Sequence, residues 1–383
     1  MRKRLIILGS TGSIGRAALD VVAALSERFE VVGLAAGNNR ELLAEQTRRF
    51  RPQAVALSCA QGAEQLRRAL PEQVAVYAGS QGARELVVNI EADLVLAAIV
   101  GAAGLPATLA AVERGLDVAL ANKESLVVAG ALLVPLARHT GSRLIPVDSE
   151  HSAVFQAIQA GQRSEVHKIY LTASGGPFRD WPVERIAAAT LEEALRHPTW
   201  DMGPKITIDS ATMMNKALEV IEAVWLFDLE PQQVEVLIHP ESIVHSLVEF
   251  CDGSVVAQLG TPDMKTPIQY ALTWPQRVPG LAARLSWNQV RTLRFEPPDT
   301  ERFPALALGY EAARRGGSSG AVLNAANEAA VELFRRGEIS FGEITALTRA
   351  VFERHQPVAV KSLEQLLELD AWARREVLAC CQA

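Results

Sequence analysis

Leu5-Ile6-Ile7-Leu8-Gly9-Ser10-Thr11-Gly12-Ser13-Ile14-Gly15 decides the fold. Four apolar residues in a row predict a strand buried on both faces. The glycine-spaced stretch after them predicts a tight turn into a helix over 14–25. Working outward, the same alternation recurs: 31–36, 54–57, 94–99, 118–121 and 144–147 read as further strands, with helical stretches such as 105–114 between them. Strand–helix–strand repetition implies right-handed crossovers and a parallel sheet. Ligands of such sheets bind beyond the carboxyl ends of the strands. Those ends carry Gly9–Gly15, Gly37-Asn38-Asn39, Gly101, Asn122-Lys123-Glu124 and Asp148-Ser149-Glu150.

A chain of 383 residues holds two or three domains, and 49% hydrophobic with 21% charged residues is an ordinary globular balance. The formal net charge of −6, without a strongly basic stretch, excludes nucleic acid and membrane as main partners. Cys59, Cys251, Cys380 and Cys381 have no metal-ligand spacing and point to a reducing compartment. The apolar run at the N-terminus stops at Gly9, too short for a secretory leader, so a cytoplasmic protein is expected.

From residue 151 the character changes. A strand at 168–172 leads into Ser174-Gly175-Gly176-Pro177, and Thr190 with Glu193 has the spacing that opens a helix. His197-Pro198-Thr199-Trp200-Asp201-Met202-Gly203-Pro204 puts large side chains on a loop punctuated by Pro and Gly, which suits a lid or a loop packed on the core. A helix over 213–227 follows, then strands at 234–238, 244–250 and 254–259, the last two joined through Asp252-Gly253. Helices at 305–315 and 321–336 end at glycines, and Ser340/Glu343 and Ser362/Gln365 open two more. The expected fold is therefore α/β. It comprises a Rossmann-like parallel sheet over 1–149, an α+β catalytic metal and substrate domain with a lid loop over 150–274, a linker over 275–300, and a four-helix bundle over 301–383.

Three constellations carry chemistry. Gly9-x-x-Gly12-x-x-Gly15 lets backbone approach a pyrophosphate at a helix N-terminus, or serves as a tight structural turn. Gly37-Asn38-Asn39-Arg40 ends the second strand without the carboxylate an NAD site uses, which favours NADP. In Pro146-Val147-Asp148-Ser149-Glu150-His151, residues two apart on an extended or turning backbone point the same way. Asp148 and Glu150 then converge, either as a solvated acidic turn or as oxygen ligands for Mg²⁺ or Mn²⁺. Further on, Ser210, Asn215 and Lys216 offer hydroxyl, amide and ammonium donors for a phosphate monoester, with Glu219 one turn away to join the oxygen ligands. A solvated polar stripe has the same pattern. His151, His167, His239 and His245 read as structural; His197 ranks higher for its loop.

These stretches resemble the 1-deoxy-D-xylulose 5-phosphate reductoisomerase family. The resemblance runs in order through Gly9–Gly15, Ala98-Ile-Val-Gly-Ala-Ala-Gly104, Ala121-Asn-Lys-Glu-Ser125 and Pro146-Val-Asp-Ser-Glu-His-Ser152. It continues through Thr172-Ala-Ser-Gly-Gly-Pro-Phe178, His197-Pro-Thr-Trp-Asp-Met-Gly203, Asp209 to Glu219 and Gln258-Leu-Gly-Thr-Pro-Asp-Met264, about three quarters of the chain.

The resemblance implies an NADP-dependent oxidoreductase of the non-mevalonate isoprenoid pathway. It would isomerise and reduce a phosphosugar, 1-deoxy-D-xylulose 5-phosphate, to 2-C-methyl-D-erythritol 4-phosphate. It further implies a homodimer, sensitivity to fosmidomycin, and NADPH with Mg²⁺ or Mn²⁺ as cofactors. Position by position, Asp148, Glu150 and Glu219 look like the metal ligands, and Ser174, Ser210, Asn215 and Lys216 like the phosphate site. Lys123, Ser149, Glu150, His197 and Glu219 look like further substrate contacts, with Lys123, Glu150 and His197 as catalytic candidates. Trp200 and Met202 belong to the closing loop. Thr11, Gly12, Ser13, Ile14, Gly37, Asn38, Asn39, Asn122, Glu124 and Gly203 look like cofactor contacts. The chain has Asn38 where the family often has lysine, so any compensation at the 2′-phosphate falls to Arg40. A plain dehydrogenase would explain the glycines but not the three carboxylates beside a phosphate cradle, and a nucleotide sensor has no use for those carboxylates.

Overall fold

The computed structural model describes residues 1–200, 202–290 and 292–381. It divides into two compact units that interleave along the chain: 1–125, 133–152 and 263–283 form the first, and 126–132, 153–262 and 284–383 the second. The sequence suggested four consecutive segments instead, with breaks after 149, 274 and 300.

In the first unit, β1 (Lys3–Leu8), β2 (Phe29–Ala36), β3 (Ala54–Leu57), β4 (Ala75–Ala78), β5 (Leu94–Ala97), β6 (Asp117–Leu120) and β7 (Leu144–Pro146) form one sheet. The order is β4-β3-β2-β1-β5-β6-β7, every pairing parallel. Helices α1 (Ser13–Ala24), α2 (Arg40–Phe50), α3 (Ala60–Ala69), α4 (Gly82–Asn89), α5 (Leu105–Glu113) and α6 (Lys123–Thr140) follow the first six strands in turn. The unbroken apolar runs mark the central strands: Leu5, Ile6, Ile7 and Leu8 are all buried. Strand β4, absent from the sequence reading, is an edge strand. Its Ala75 is exposed and the rest half-buried, so it carries no strong apolar run.

After β7 the chain forms α7 (Ser149–Ala157), then β8 (Val166–Ala173), α8 (Val183–Ile186), α9 (Leu191–Ala194), α10 (Pro204–Thr212) and α11 (Met214–Phe227). Strands β9 (Val234–Ile238), β10 (Val244–Phe250) and β11 (Val255–Leu259) complete a mixed sheet ordered β11-β10-β8-β9. Next comes α12 (Lys265–Thr273), which buries Ile268 and Leu272 and packs with α1 in the first unit. Its apolar face places it there, although the reading by segments gave it to the catalytic domain.

The tail is α13 (Ala305–Arg315), α14 (Ser319–Arg335), α15 (Phe341–Arg354) and α16 (Leu363–Cys381). The reciprocal box at Ser340/Glu343 opens α15 as the sequence suggests, as Thr190/Glu193 does for α9. The helices do not stand apart as a bundle. One apolar core runs from the mixed sheet (Leu171, Val236, Val248) into the helices (Val322, Phe334, Phe341, Val351). Helix α13 lies on α11 so closely that a Cβ at Gly309 would sit 2.4 Å from the Ala217 carbonyl. Tail and mixed sheet therefore bury one another's apolar surface and form a single unit. Among the described residues no helix is long and apolar enough to cross a membrane.

At the junction of α13 and α14, Ser318 Oγ accepts from the Val358 N–H at 3.0 Å and lies 2.8 Å from His355 Nε2. Burial, with Arg315 nearby, pushes the His355 imidazole below its ordinary value. Because the folded value lies below the unfolded one, this contribution to stability is complete above about pH 6.5 and is lost as the pH falls from there. Thermal unfolding should therefore lose more between pH 7.5 and 5.5 in the native chain than in His355→Gln, which cannot titrate. Equal losses in the two would contradict the assignment.

Candidate active site

In the first unit every predicted position lies at the carboxyl end of the sheet. Gly9 takes φ +83, and a Cβ there would meet the Ala98 carbonyl oxygen at 2.4 Å. A Cβ on Gly15 would sit 2.3 Å from the Gly9 oxygen, so α1 is pressed directly on the loop. Ser10 anchors that loop: its Oγ donates to Gln46 at 2.7 Å, while Gln46 Nε2 donates back to the Ser10 carbonyl at 2.8 Å. Thr11, Gly12, Ser13 and Ile14 remain at the surface of the turn. Gly12 and Ser13 are exposed, leaving backbone N–H groups at the helix start for an anion.

Gly37, Asn38 and Asn39 are exposed at the end of β2. Asn39 caps α2 by accepting from the Leu42 N–H at 3.1 Å, and the Arg40 guanidinium pairs with Glu41. Asn122 differs from the other expected cofactor contacts in being buried and structurally occupied. Its amide donates to the Ile99 and Gly101 carbonyls and accepts from the Ser125 N–H at 2.9 Å, tying the loop after β5 to the start of α6. Glu124, next in the turn, is buried too.

Strands β6 and β7 pair in parallel with Leu120 beside Pro146, so the residues that follow emerge side by side. Lys123 Nζ thereby lies 2.6 Å from Asp148 Oδ2, with Lys123 almost fully buried. His151 Nδ1 is 3.7 Å from the same oxygen. Burial alone would raise the Asp148 carboxyl. The Lys123 ammonium and His151 override it and hold the carboxyl well below the usual range, so Asp148 is an anion.

Glu150 and Asp148 do bring carboxylate oxygens within 4.8 Å of each other, but not by the extended backbone the spacing suggested. The helix already begins at Ser149, and the Ser152 N–H bonds the Asp148 carbonyl at 2.7 Å. Glu150 therefore stands on the first helical turn, where Ser149 Oγ donates to it. His151, read from sequence as structural, belongs with this cluster. Its signal was its place three residues after Asp148, once a helix rather than a strand is assumed.

In the second unit, a left-handed Met213 (φ +64) breaks α10 from α11 and sets Asn215 and Lys216 on the first turn of the new helix. Asn215 Nδ2 and Lys216 Nζ each lie 2.5 Å from a different oxygen of Glu219, which is fully buried. Two of the four expected phosphate donors are thus clamped on the carboxylate expected to hold metal. Gly175 and Gly176 both take positive φ, and a Cβ on Gly176 would sit 2.6 Å from the Ser210 carbonyl. That contact lays the Ser174 turn on the end of α10. Ser174 Oγ lies 3.1 Å from His197 Nε2. Trp200 lies tilted beside His245, their ring centres 6.5 Å apart, and Met202 and Gly203 lead into α10. Asp201 lies outside the described residues. The sequence reading missed buried Asp209, which bonds Lys205 at 2.8 Å and Asn327 at 2.8 Å and fixes α10 to α14.

His239 is structural as expected: Nδ1 lies 2.8 Å from the Arg294 carbonyl, and Nε2 accepts from Ile243 and Val244. His167 is exposed.

A glycine turn on a parallel sheet, with Asp148 and Glu150 beyond the end of β7, fits a nucleotide-dependent α/β oxidoreductase. Family models agree. Residues 5–130 match 1-deoxy-D-xylulose 5-phosphate reductoisomerase, 144–227 match its C-terminal domain, and 259–376 match the DXP reductoisomerase C-terminal domain. A curated relative of that name from Pelotomaculum thermopropionicum is 52% identical over 374 residues, covering 97% of each chain. One from a Synechococcus strain is 53% identical over 382 residues, covering 98% of this chain and 97% of the other. The solved reductoisomerase from Zymomonas mobilis in complex with NADPH superposes with a TM-score of 0.94 at 42% identity, each chain wholly covered. A DOX-P reductoisomerase in complex with NADPH, fosmidomycin and magnesium gives 0.93 at 39% identity, covering 99% of this chain and 98% of that one. The chain belongs to the 1-deoxy-D-xylulose 5-phosphate reductoisomerase family.

The close approach at Gly15 can be checked by stability alone. Gly15→Ala should destabilise the protein by about 1–3 kcal/mol, because the clash is with backbone that cannot turn aside. A urea midpoint unchanged from the native chain would contradict the packing.

Proposed function

We propose that this chain isomerises and reduces 1-deoxy-D-xylulose 5-phosphate to 2-C-methyl-D-erythritol 4-phosphate, with NADPH and a divalent ion, in non-mevalonate isoprenoid synthesis. The observation that carries the reading is the anionic Asp148 beside Glu150 at a strand end, within a family whose solved members hold NADPH and magnesium.

Asp148, Glu150 and Glu219 are assigned as ligands for Mg²⁺ or Mn²⁺. Carboxylate oxygens are the donors such hard cations take, and Asp148 is already charged. When bound, the ion acts as a Lewis acid on adjacent carbonyl and hydroxyl oxygens while NADPH supplies the reducing equivalent. The chain's own residues do the rest. Ser174, Ser210, Asn215 and Lys216 bind the phosphate, whose distance from the reacting carbons lets its binding energy position the substrate. Ser149 orients a substrate hydroxyl. Lys123 and Glu150 hold or move a proton there, since Lys123 Nζ stands against Asp148 at 2.6 Å. His197 contacts substrate from the loop, and Trp200 and Met202 exclude water as it closes.

Thr11, Gly12, Ser13 and Ile14 take the pyrophosphate at the start of α1. Gly37, Asn38 and Asn39 take the adenosine side. Glu124 and Gly203 are assigned to the cofactor as well. Asn122 is assigned to the cofactor too, and its amide shapes the strand-end loops. Arg40 is the cation for the 2′-phosphate. The active form is taken as a cytoplasmic homodimer, as the family resemblance implies.

Glu219→Gln keeps the side chain's size while removing its charge. NADPH-dependent turnover with Mg²⁺ should fall at least about a hundredfold, the scale of losing several kcal/mol of Lewis-acid stabilisation. The Kd for NADPH by fluorescence titration should hardly move. Undiminished turnover would remove Glu219 from the ligand set. At the other end of the site, Arg40→Ala should weaken NADPH by about three- to tenfold and leave NADH nearly unaffected. Equal loss for both nucleotides would refute the 2′-phosphate contact.

A further inference from the structure

Helix α10 carries its charges against its own dipole. Lys205 lies in the first turn and Asp209 in the last, each at the end that disfavours it. Lysine four residues before the acid is also the weaker order for a pair on one helix. Helix stability therefore does not account for Asp209, whereas its surroundings do. Its side chain is 1% exposed, with Oδ2 2.8 Å from Lys205 Nζ. Oδ1 accepts from Asn327 Nδ2 of α14, also at 2.8 Å, and Asn327 is fully buried. A carboxylate only accepts, so it fixes which way the Asn327 amide points. Asn327 Oδ1 is then buried with no hydrogen-bond partner among the described residues. A polar bond between helices kept at that cost calls for a reason beyond packing.

What Asp209 holds is the chain around Ser210. The Asp209 carbonyl accepts from Thr212 Oγ1 at 3.2 Å, and that hydroxyl accepts from the Met214 N–H at 3.2 Å. The Met213 N–H donates to the Ser210 carbonyl at 3.2 Å. These bonds shape the left-handed elbow at Met213, after which Asn215 and Lys216 begin α11. Ile208 and Ala211 are fully buried, while Ser210 stays partly exposed. We infer that Asp209 and Asn327 are positioning residues for the substrate's phosphate. Their bond seats α10 on α14 and thereby aims Ser210 and the elbow that carries Asn215 and Lys216. This role rests on the reading above that those three residues bind the phosphate; the bond itself stands on distance and burial.

Three variants change the partners rather than the donors. Asn327→Leu removes the donor to Asp209 at similar size. Asn327→Asp sets two buried carboxylates against each other. Adding Asp209→Asn to Asn327→Asp restores one amide and one carboxylate across the helices, with the amide oxygen left to accept from Lys205. Steady-state kinetics with NADPH and Mg²⁺ give KM and kcat for 1-deoxy-D-xylulose 5-phosphate, and fluorescence titration gives the Kd for NADPH. A contact remote from the reacting carbons is made alike in ground and transition states, so its loss shows in KM. Asn327→Leu should raise KM about tenfold, with kcat and the Kd for NADPH within about threefold of native. Asn327→Asp should raise KM at least as much, and the exchanged pair should return it to within about threefold of native. Ser210→Ala, measured alongside, should raise KM about tenfold as well. Native KM in Asn327→Leu, whatever its urea midpoint, reduces the bond to packing and overturns the inference. An exchanged pair with KM as high as in Asn327→Asp overturns it too, as do equal losses for substrate and NADPH. Should Asn327→Asp fail to fold, Asn327→Leu and the exchanged pair still decide. Native KM in Ser210→Ala overturns the phosphate reading itself, which is distinct from a raised KM there beside a native one in Asn327→Leu.

Discussion

A buried ion pair stands at the carboxyl end of the first unit's sheet: Lys123 Nζ against Asp148 Oδ2 at 2.6 Å. It exists because β6 and β7 run parallel with Leu120 beside Pro146, so both chains leave the sheet together at its carboxyl end. Neither partner can be spared. An ammonium as deeply buried as Lys123 left without its carboxylate would cost several kcal/mol, and the same holds for the carboxylate. The pair therefore constrains what else the region can contain. It keeps Asp148 anionic against burial, and it places a proton-bearing nitrogen beside the carboxylates proposed to hold the ion.

Within each unit the polar groups of the predicted positions are bonded to one another. Ser10 and Gln46 lock the glycine turn, Asn122 ties together the loops after β5 and β6, and Asn215 with Lys216 grips Glu219. Bonds of this kind fix the loops and helix starts that carry the side chains. The glycines serve the same end by a different route. At Gly9, Gly15 and Gly176 a single methyl would collide with backbone, so the closeness of the loops is itself a product of missing side chains.

Much of this was legible in the sequence. Central strands announce themselves as unbroken apolar runs, and a parallel sheet binds at one predictable end. The glycines and the clusters at 122–124 and 148–150 could therefore be placed without coordinates. What escaped the reading had physical causes. Strand β4 is an edge whose burial is incomplete, so it has no apolar signature. Helix α12 was given to the wrong neighbour because its apolar face does not say which surface it covers. The convergence of Asp148 and Glu150 was foreseen for the wrong reason: the helix opens at Ser149, and the same opening turns His151 toward Asp148. Asp209 and Asn327, 118 positions apart in the chain, had no local pattern to reveal them.

The most direct measurement is NADPH oxidation by the purified protein with 1-deoxy-D-xylulose 5-phosphate, in the presence of Mg²⁺ or Mn²⁺ and again after chelation. Oxidation that requires both the phosphosugar and the ion, lost on chelation and restored by adding metal back, is the expected result. Oxidation that survives complete removal of the metal would contradict the assignment of Asp148, Glu150 and Glu219. NADPH that binds but is never oxidised by this substrate would contradict the reaction itself.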